Sequence, residues 1–242
     1  PGTVAIALRP TPTEDKASAG MTNRKRAGLL AQVGRHEFDP KGFAVIEGEP
    51  IVYWWTKEFL ERYAAAPKLG EVAPVRLGVQ TSDSTRYLRV PWELERLGCL
   101  RRAEYRSAPR DKWVPYIKGA AGQVWIEPLA DALRWAACGL ELKVAKEEEF
   151  RSYSRHIQSE DRFFSRGIAF STIGAVFSAR AHRYPSIIDN MGASIFSDDV
   201  AHYTCLLNTS ESRFVLQSLN PTVHFTSSDV NRLPVLRIPG AG

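Results

Sequence analysis

Cysteine is scarce. The 242-residue chain holds three, Cys99, Cys138 and Cys205, an odd and widely scattered set. Neither a disulfide framework nor a zinc knuckle can be built from it, and a reducing cytoplasm is the expected compartment. No apolar run approaches the ~18–20 residues that a bilayer-crossing helix needs, so no membrane partner is expected. Pro1 to Thr13 lack the basic start and apolar stretch of a secretory signal, and a first residue other than Met fits a piece of a longer protein. Also missing are a Gly-x-Gly-x-x-Gly string, a Walker loop and a Gly-x-Ser-x-Gly turn, which removes the common phosphate cradles and the usual serine nucleophile. The five histidines (His36, His156, His182, His202, His224) show no i, i+4 pair and no Cys partner at metal spacing, so no resident metal is expected.

What is present describes a folded chain. Apolar residues make up 44% and charged residues 24%, a balance unlike that of disordered sequences. The length suits one large domain or two small ones. Net charge is +5, and it is unevenly placed. From Arg76 to Lys118 ten Lys or Arg face five Asp or Glu, and from Arg151 to Arg183 six Arg face two acids. Arginine dominates both windows, with aromatics between the charges, as in Arg86-Tyr87-Leu88-Arg89 and Lys112-Trp113. Guanidinium forks match phosphates and guanine edges, and aromatics stack on bases. The same composition also fits a solvated basic face, or one that docks an acidic protein partner.

Local patterns predict a mixed α+β chain, strand-rich in its second half. Strands are expected at Gly2–Leu8, Phe43–Ile46, Trp113–Ile117, Gly167–Ser171, Val176–Ala181, Ser186–Ile188 and Ala193–Phe196, the last four forming one compact curled sheet. Residues 9–23 are rich in Pro, Thr, Ser and Asp and read as a linker. Helices are expected at Arg24–Val33, Thr56–Ala66 (Thr56 as N-cap, Pro67 as stop), Leu129–Cys138, Val200–Leu207 and Ser210–Leu219, with Asn208 and Glu211 at capping-box spacing. Trp54 and Trp55 are expected to pack. Glu141–Phe150 is ambiguous.

One hydrolytic pattern is present. Asp131, Glu141 and Lys143 have the residue types of a set that holds Mg²⁺ beside a hydrolytic water. It needs Asp131 at a strand end and Glu141 on the adjacent strand, whereas Leu129, Leu133 and Ala136 repeat at helical spacing and put Asp131 inside a helix.

An ordered series of strings carries a resemblance. It runs from Ile51-Val52-Tyr53-Trp54-Trp55 through Gly78-Val79-Gln80-Thr81-Ser82-Asp83-Ser84-Thr85-Arg86-Tyr87-Leu88-Arg89 to Lys112-Trp113-Val114-Pro115-Tyr116-Ile117-Lys118-Gly119. Gly167-Ile168-Ala169-Phe170-Ser171, Phe177-Ser178-Ala179-Arg180, Gly192-Ala193-Ser194-Ile195-Phe196, Leu206-Leu207-Asn208-Thr209 and Leu219-Asn220-Pro221-Thr222-Val223-His224-Phe225 follow. Over roughly residues 40–236 this resembles the C-terminal target-recognition region of large adenine-N6 DNA methyltransferases of restriction-modification and phage defence, including the PglX-like methylases of BREX and the related DISARM methylases. Departures are Ser82 and Ser84 where the family's Gln-Thr-Gly-Asp-Asn string has Gly and Asn, Ile117 where it has Asn, and Phe170 where it has Trp.

The resemblance implies a target-recognition-like α+β fold of curled mixed sheets and a few short helices. Residues 1–35 would be the end of an upstream methylase core plus a linker, and 36–242 a DNA-binding domain. It implies S-adenosylmethionine in the parent enzyme and no cofactor in this chain, where Asn220-Pro221-Thr222 lacks the second Pro and the aromatic of the family's catalytic Asn-Pro-Pro-Tyr/Phe. Partners would be double-stranded DNA, the upstream methyltransferase domain and other defence-system subunits. Gln80, Thr81, Asp83, Arg86 and Arg89 would form a first contact line, Lys112, Tyr116 and Lys118 a second, Ser178 and Arg180 a third.

Overall fold

The computed structural model describes residues 5–8, 27, 30–32, 35–94, 113–119 and 122–236. The expected linker, most of the expected 24–33 helix and Lys112, with Arg96, Arg101, Arg102, Arg106 and Arg110, lie outside them. The chain divides into two units, Pro1–Ala65 and Ala66–Gly242.

In the first unit β1 (Ala5–Leu8) pairs antiparallel with β2 (Arg35–Phe38), Ala5 opposite Phe38 and Leu8 opposite Arg35. The strand expected at Phe43–Ile46 is instead a 3₁₀ turn, Pro40–Phe43, and its continuation. Asp39 accepts from Lys41 N at 3.0 Å and Pro40 pre-sets the first helical φ, so this Asp-Pro pair starts a turn. Phe43 and Ile46 are then buried at a spacing of three, with Ala44 and Val45 exposed between them. Helix α1 (Lys57–Ala65) forms as expected, Thr56 Oγ1 accepting from Phe59 N at 3.2 Å. Trp55 is buried against Phe59 and Tyr63, whereas Trp54 stays 41% exposed.

The second unit contains α2 (Leu69–Val72), α3 (Ser84–Tyr87), α4 (Ala136–Phe150), α5 (Val200–Leu207), α6 (Ser210–Leu219) and α7 (Ser227–Asn231). Its strands are β3 (Leu88–Arg89), β4 (Trp113–Ile117), β5 (Trp125–Ile126), β6 (Asp131–Arg134), β7 (Ile168–Phe170), β8 (Ala179–Ala181), β9 (Ile187–Ile188) and β10 (Ser194–Ile195). They build two open four-stranded mixed sheets, ordered β3-β6-β4-β9 and β10-β7-β8-β5. Each has one parallel pair, β4 with β9 and β5 with β8. The mixed α+β class is as expected, but the four late strands do not share one sheet: β9 crosses to lie beside β4. Among the described residues no helix is long and apolar enough to cross a membrane.

Residues 131–134 are a strand, not part of a helix over 129–138. β6 is central, antiparallel to β3 on one side and β4 on the other, and Ala132 and Leu133 are both fully buried because both sheet faces are covered. Leu129 and Ala136, which completed the helical period, are not buried. The ambiguous stretch after it is helical and continues α4, whose first turn is wound left-handed at Ala137, Cys138 and Gly139. A Cβ on Gly139 would meet the Trp135 ring at 2.4 Å, so this position requires glycine for space as well as for its φ of +74°. Thr209, not Asn208, caps α6, accepting from Ser212 N at 3.1 Å. Asn208 is occupied with Ala179, accepting from its N–H at 3.1 Å and donating to its carbonyl at 2.8 Å.

Candidate nucleic-acid interface

The segment Gln80–Arg89 leaves a heavily pinned stretch of backbone. Val79 is fully buried and donates to Ile188 O at 2.7 Å, while its own carbonyl accepts from Tyr116 Oη at 2.7 Å. Gln80 N donates to His156 O at 2.7 Å, and the exposed Gln80 Oε1 faces His156 Nδ1 at 3.3 Å. Thr81 is buried. Ser82 has φ +58°, the left-handed region, which accounts for glycine at this position in the string it resembles. Asp83 turns its carboxylate back on the loop and accepts from Arg86 N at 3.0 Å, capping α3. It shapes the loop.

α3 and β3 then present two arginines. Arg89 is exposed, donates from Nη1 to Thr85 O and Leu88 O at 2.6 Å, and lies 5.7 Å from the Trp113 ring centre. Beside it is a hollow of about 610 Å³ lined by Thr85, Leu88, Arg89, Glu93, Trp113 and Asp131, among others. Arg86, with half its side chain exposed, donates from Nε and Nη2 to Glu141 Oε1 at 3.2 and 3.0 Å. Arg134 Nη2 holds the other oxygen of the same carboxylate at 2.9 Å. Ion pairs this exposed contribute only ~0.2–1 kcal/mol each.

The other expected contacts scatter. Tyr116 is buried, and its hydroxyl is held well above its usual range by burial first and by Asp189 second. Lys118, half-buried at the end of β4, lines a smaller hollow of about 250 Å³ and is near Asp131, whose carboxyl burial raises despite that lysine. Arg180 is on β8 and Ser178 immediately precedes it, and both are buried. Arg180 is fully buried, its Nε paired with the buried Glu127 and its Nη1 donating to Ser171 Oγ at 3.1 Å. Arg134 stands on none of the expected contact lines, because the helix expected over 129–138 hides its place beside Arg86.

The hydrolytic set is not assembled. Asp131 does stand at the start of a strand, but Glu141 and Lys143 lie on α4, Glu141 between two arginines and Lys143 on Glu160 at 2.6 Å. Among the described residues, no group of three or more His, Cys, Asp or Glu side chains could hold a metal ion.

Next to Arg180, His182 donates from Nδ1 to Ser165 O at 3.3 Å and reaches Ser194 Oγ with Nε2 at 3.1 Å. Burial lowers its pKa to about 4. The folded state therefore refuses a proton that the unfolded chain accepts near pH 6.5, so His182 stabilises above that pH and its contribution is lost as the pH falls toward 4. Between about pH 7.5 and 5 the expected loss is roughly 2 kcal/mol. Urea unfolding at the two pH values measures it, and His182→Gln should remove that share; an unchanged pH dependence in the variant would refute the assignment.

No protein-family model matches the chain. It is 28% identical over 204 residues to the adenine-specific methyltransferase PglX of Lacticaseibacillus casei (strain Zhang), and 24% identical over 201 residues to the adenine-specific methyltransferase BrxX of Escherichia coli O9:H4 (strain HS). Each match takes in 81% of this chain but only 17% and 16% of the respective relative, so the chain spans about a sixth of the length of the proteins it matches. Over four-fifths of its length, this chain is similar to a region of the adenine-specific methyltransferases PglX and BrxX.

Proposed function

We propose that this chain is the DNA target-recognition region of an adenine-specific methyltransferase of a phage-defence or restriction-modification system. Residues 36–242 form the reading module, and methyl transfer from S-adenosylmethionine belongs to a catalytic domain joined upstream. A methyltransferase that works on a base flipped out of the duplex needs a separate surface to hold the surrounding DNA in register. The observation that carries the reading is the Gln80–Arg89 loop, rigidly anchored below and polar above, in a region that matches two adenine-specific methyltransferases. Gln80 offers an amide to adenine N6/N7. Arg89 engages only Nη1 among the described residues and keeps its Nε–Nη2 edge for guanine O6/N7. Thr81, Asp83 and Tyr116 hold the loop, Lys112 and Lys118 grip phosphates, and Ser178 and Arg180 serve through the scaffold.

Arg89→Ala is expected to cut discrimination between target and mismatched duplex by about 1–3 kcal/mol, roughly 5- to 150-fold, with little change in the salt dependence of non-specific binding. Fluorescence anisotropy across a salt series measures both. Absence of salt-dependent duplex binding by the wild-type chain, alone and within the full-length methyltransferase, would overturn the reading.

A further inference from the structure

We propose that Arg86 and Arg134 form a seat for a backbone phosphate which Glu141 occupies in the free chain, so that duplex DNA binds by displacing the Glu141 carboxylate. The inference rests on the DNA-recognition reading and adds to it a phosphate site and the residue that guards it. Two guanidinium groups from separate elements, α3 and β6, converge on one carboxylate. Arg86 holds Oε1 through two nitrogens at 3.2 and 3.0 Å, and Arg134 holds Oε2 at 2.9 Å. The same planar forks match phosphate oxygens as well as carboxylate oxygens.

The seat has more donors than its present occupant can use. Arg134 Nε and Tyr87 Oη are both shut off from solvent and have no hydrogen-bond partner among the described residues. Tyr87 lies under the Arg86 guanidinium at 5.1 Å and within electrostatic reach of Glu141 and Arg134. The Glu141 carboxylate bonds to neither Arg134 Nε nor Tyr87 Oη. A phosphodiester also presents two charged oxygens, but on a larger tetrahedral centre, so its acceptors reach directions that the planar Glu141 carboxylate does not. Glu141 is also free to leave. About a third of its side chain is exposed, as is a comparable share of Arg134 and half of Arg86, and such pairs are weak in water. Asp83, which caps α3 beside Arg86, balances the second arginine while Glu141 is in place, so the seat becomes net positive only once the Glu141 carboxylate swings away.

The full chain is titrated with target and scrambled duplexes by fluorescence anisotropy over a salt series. Glu141→Gln should tighten both duplexes by the same factor, about three- to tenfold at low salt, and steepen the log–log salt slope by about one. Arg134→Ala should weaken both and flatten the slope by about one, with sequence preference unchanged. The double variant should bind no more tightly than Arg134→Ala alone. If the wild type binds with salt dependence but neither single variant alters affinity or slope, the seat is refuted and the recognition reading stands. If no variant binds duplex at any salt, both fall. Should Glu141→Gln melt below the working temperature, the Arg134→Ala slope decides.

Discussion

Arg180→Met is expected to lower the free energy of unfolding by about 3–5 kcal/mol, the range seen when one partner of a buried ion pair is removed. Arg180 is among the largest fully buried side chains, and Glu127, 4% exposed, faces it. Burial raises the Glu127 carboxyl, and Arg180 pulls it back down by charge and hydrogen bond. Without the guanidinium, Glu127 must either stay ionised in an apolar setting or take up a proton, and both cost stability. Ser171 Oγ loses its donor as well. The methionine keeps most of the volume, so the loss reports charge and not a cavity. The double change Arg180→Met, Glu127→Leu should recover much of the stability, because a buried pair replaced by apolar groups of similar size is often neutral. Urea unfolding of the three proteins measures this; a single-variant loss below about 1 kcal/mol would show that the pair is not a desolvated one.

The same residue shows where sequence reading ran out. Composition puts Arg180 in a basic window because it records charge but not the position of a partner 53 residues earlier in the chain. Arg86 behaves alike: Glu141, which engages it, is 55 residues away. Local signals fared better. Val200–Leu207 and Ser210–Leu219 form helices with the expected bounds, since helical spacing of apolar residues is a local fact, although the cap of the second is Thr209 and not Asn208. Where a strand is central, the period fails: Ala132 and Leu133 are buried side by side, so β6 has no alternation to read, and chance spacing of flanking residues mimicked a helix. At Phe43–Ile46 an Asp-Pro start outweighed the apolar run. The Gln80–Arg89 loop was legible as a motif, but the capping of α3 by Asp83 was not. The loop's anchorage to Ile188, His156 and Tyr116 was not, because those contacts come from distant segments.

That anchorage makes Gly78→Ala the second severe substitution. A Cβ at residue 78 would stand 1.8 Å from Ile188 O and 2.4 Å from Ile188 C, both backbone atoms of β9 that cannot swing aside like a side-chain tip. The clash is one of close approach, and relief requires the segment to lift off β9. Lifting breaks Val79 N to Ile188 O at 2.7 Å, strains Gln158 N to Gly78 O at 3.2 Å, and loosens Gln80 N from His156 O at 2.7 Å. Overpacking combined with buried backbone groups losing their partners is expected to cost about 3 kcal/mol or more. Gly42→Ala serves as the control, since nothing lies within 4 Å of its Cβ, and it should change stability by about 0.5 kcal/mol or less. The functional consequence follows from the same geometry. The polar edge of Gln80 is positioned through residues 78–80, whereas α3 is also held by Asp83, Glu141 and the pairing of β3 with β6, so Gly78→Ala protein that remains folded at low temperature should retain most of its salt-dependent DNA binding yet lose discrimination between target and mismatched duplex. Thermal melting and anisotropy on one preparation test both halves, and a variant that melts within a few degrees of wild type with its discrimination intact would show that the loop does not depend on this approach of Gly78 to β9.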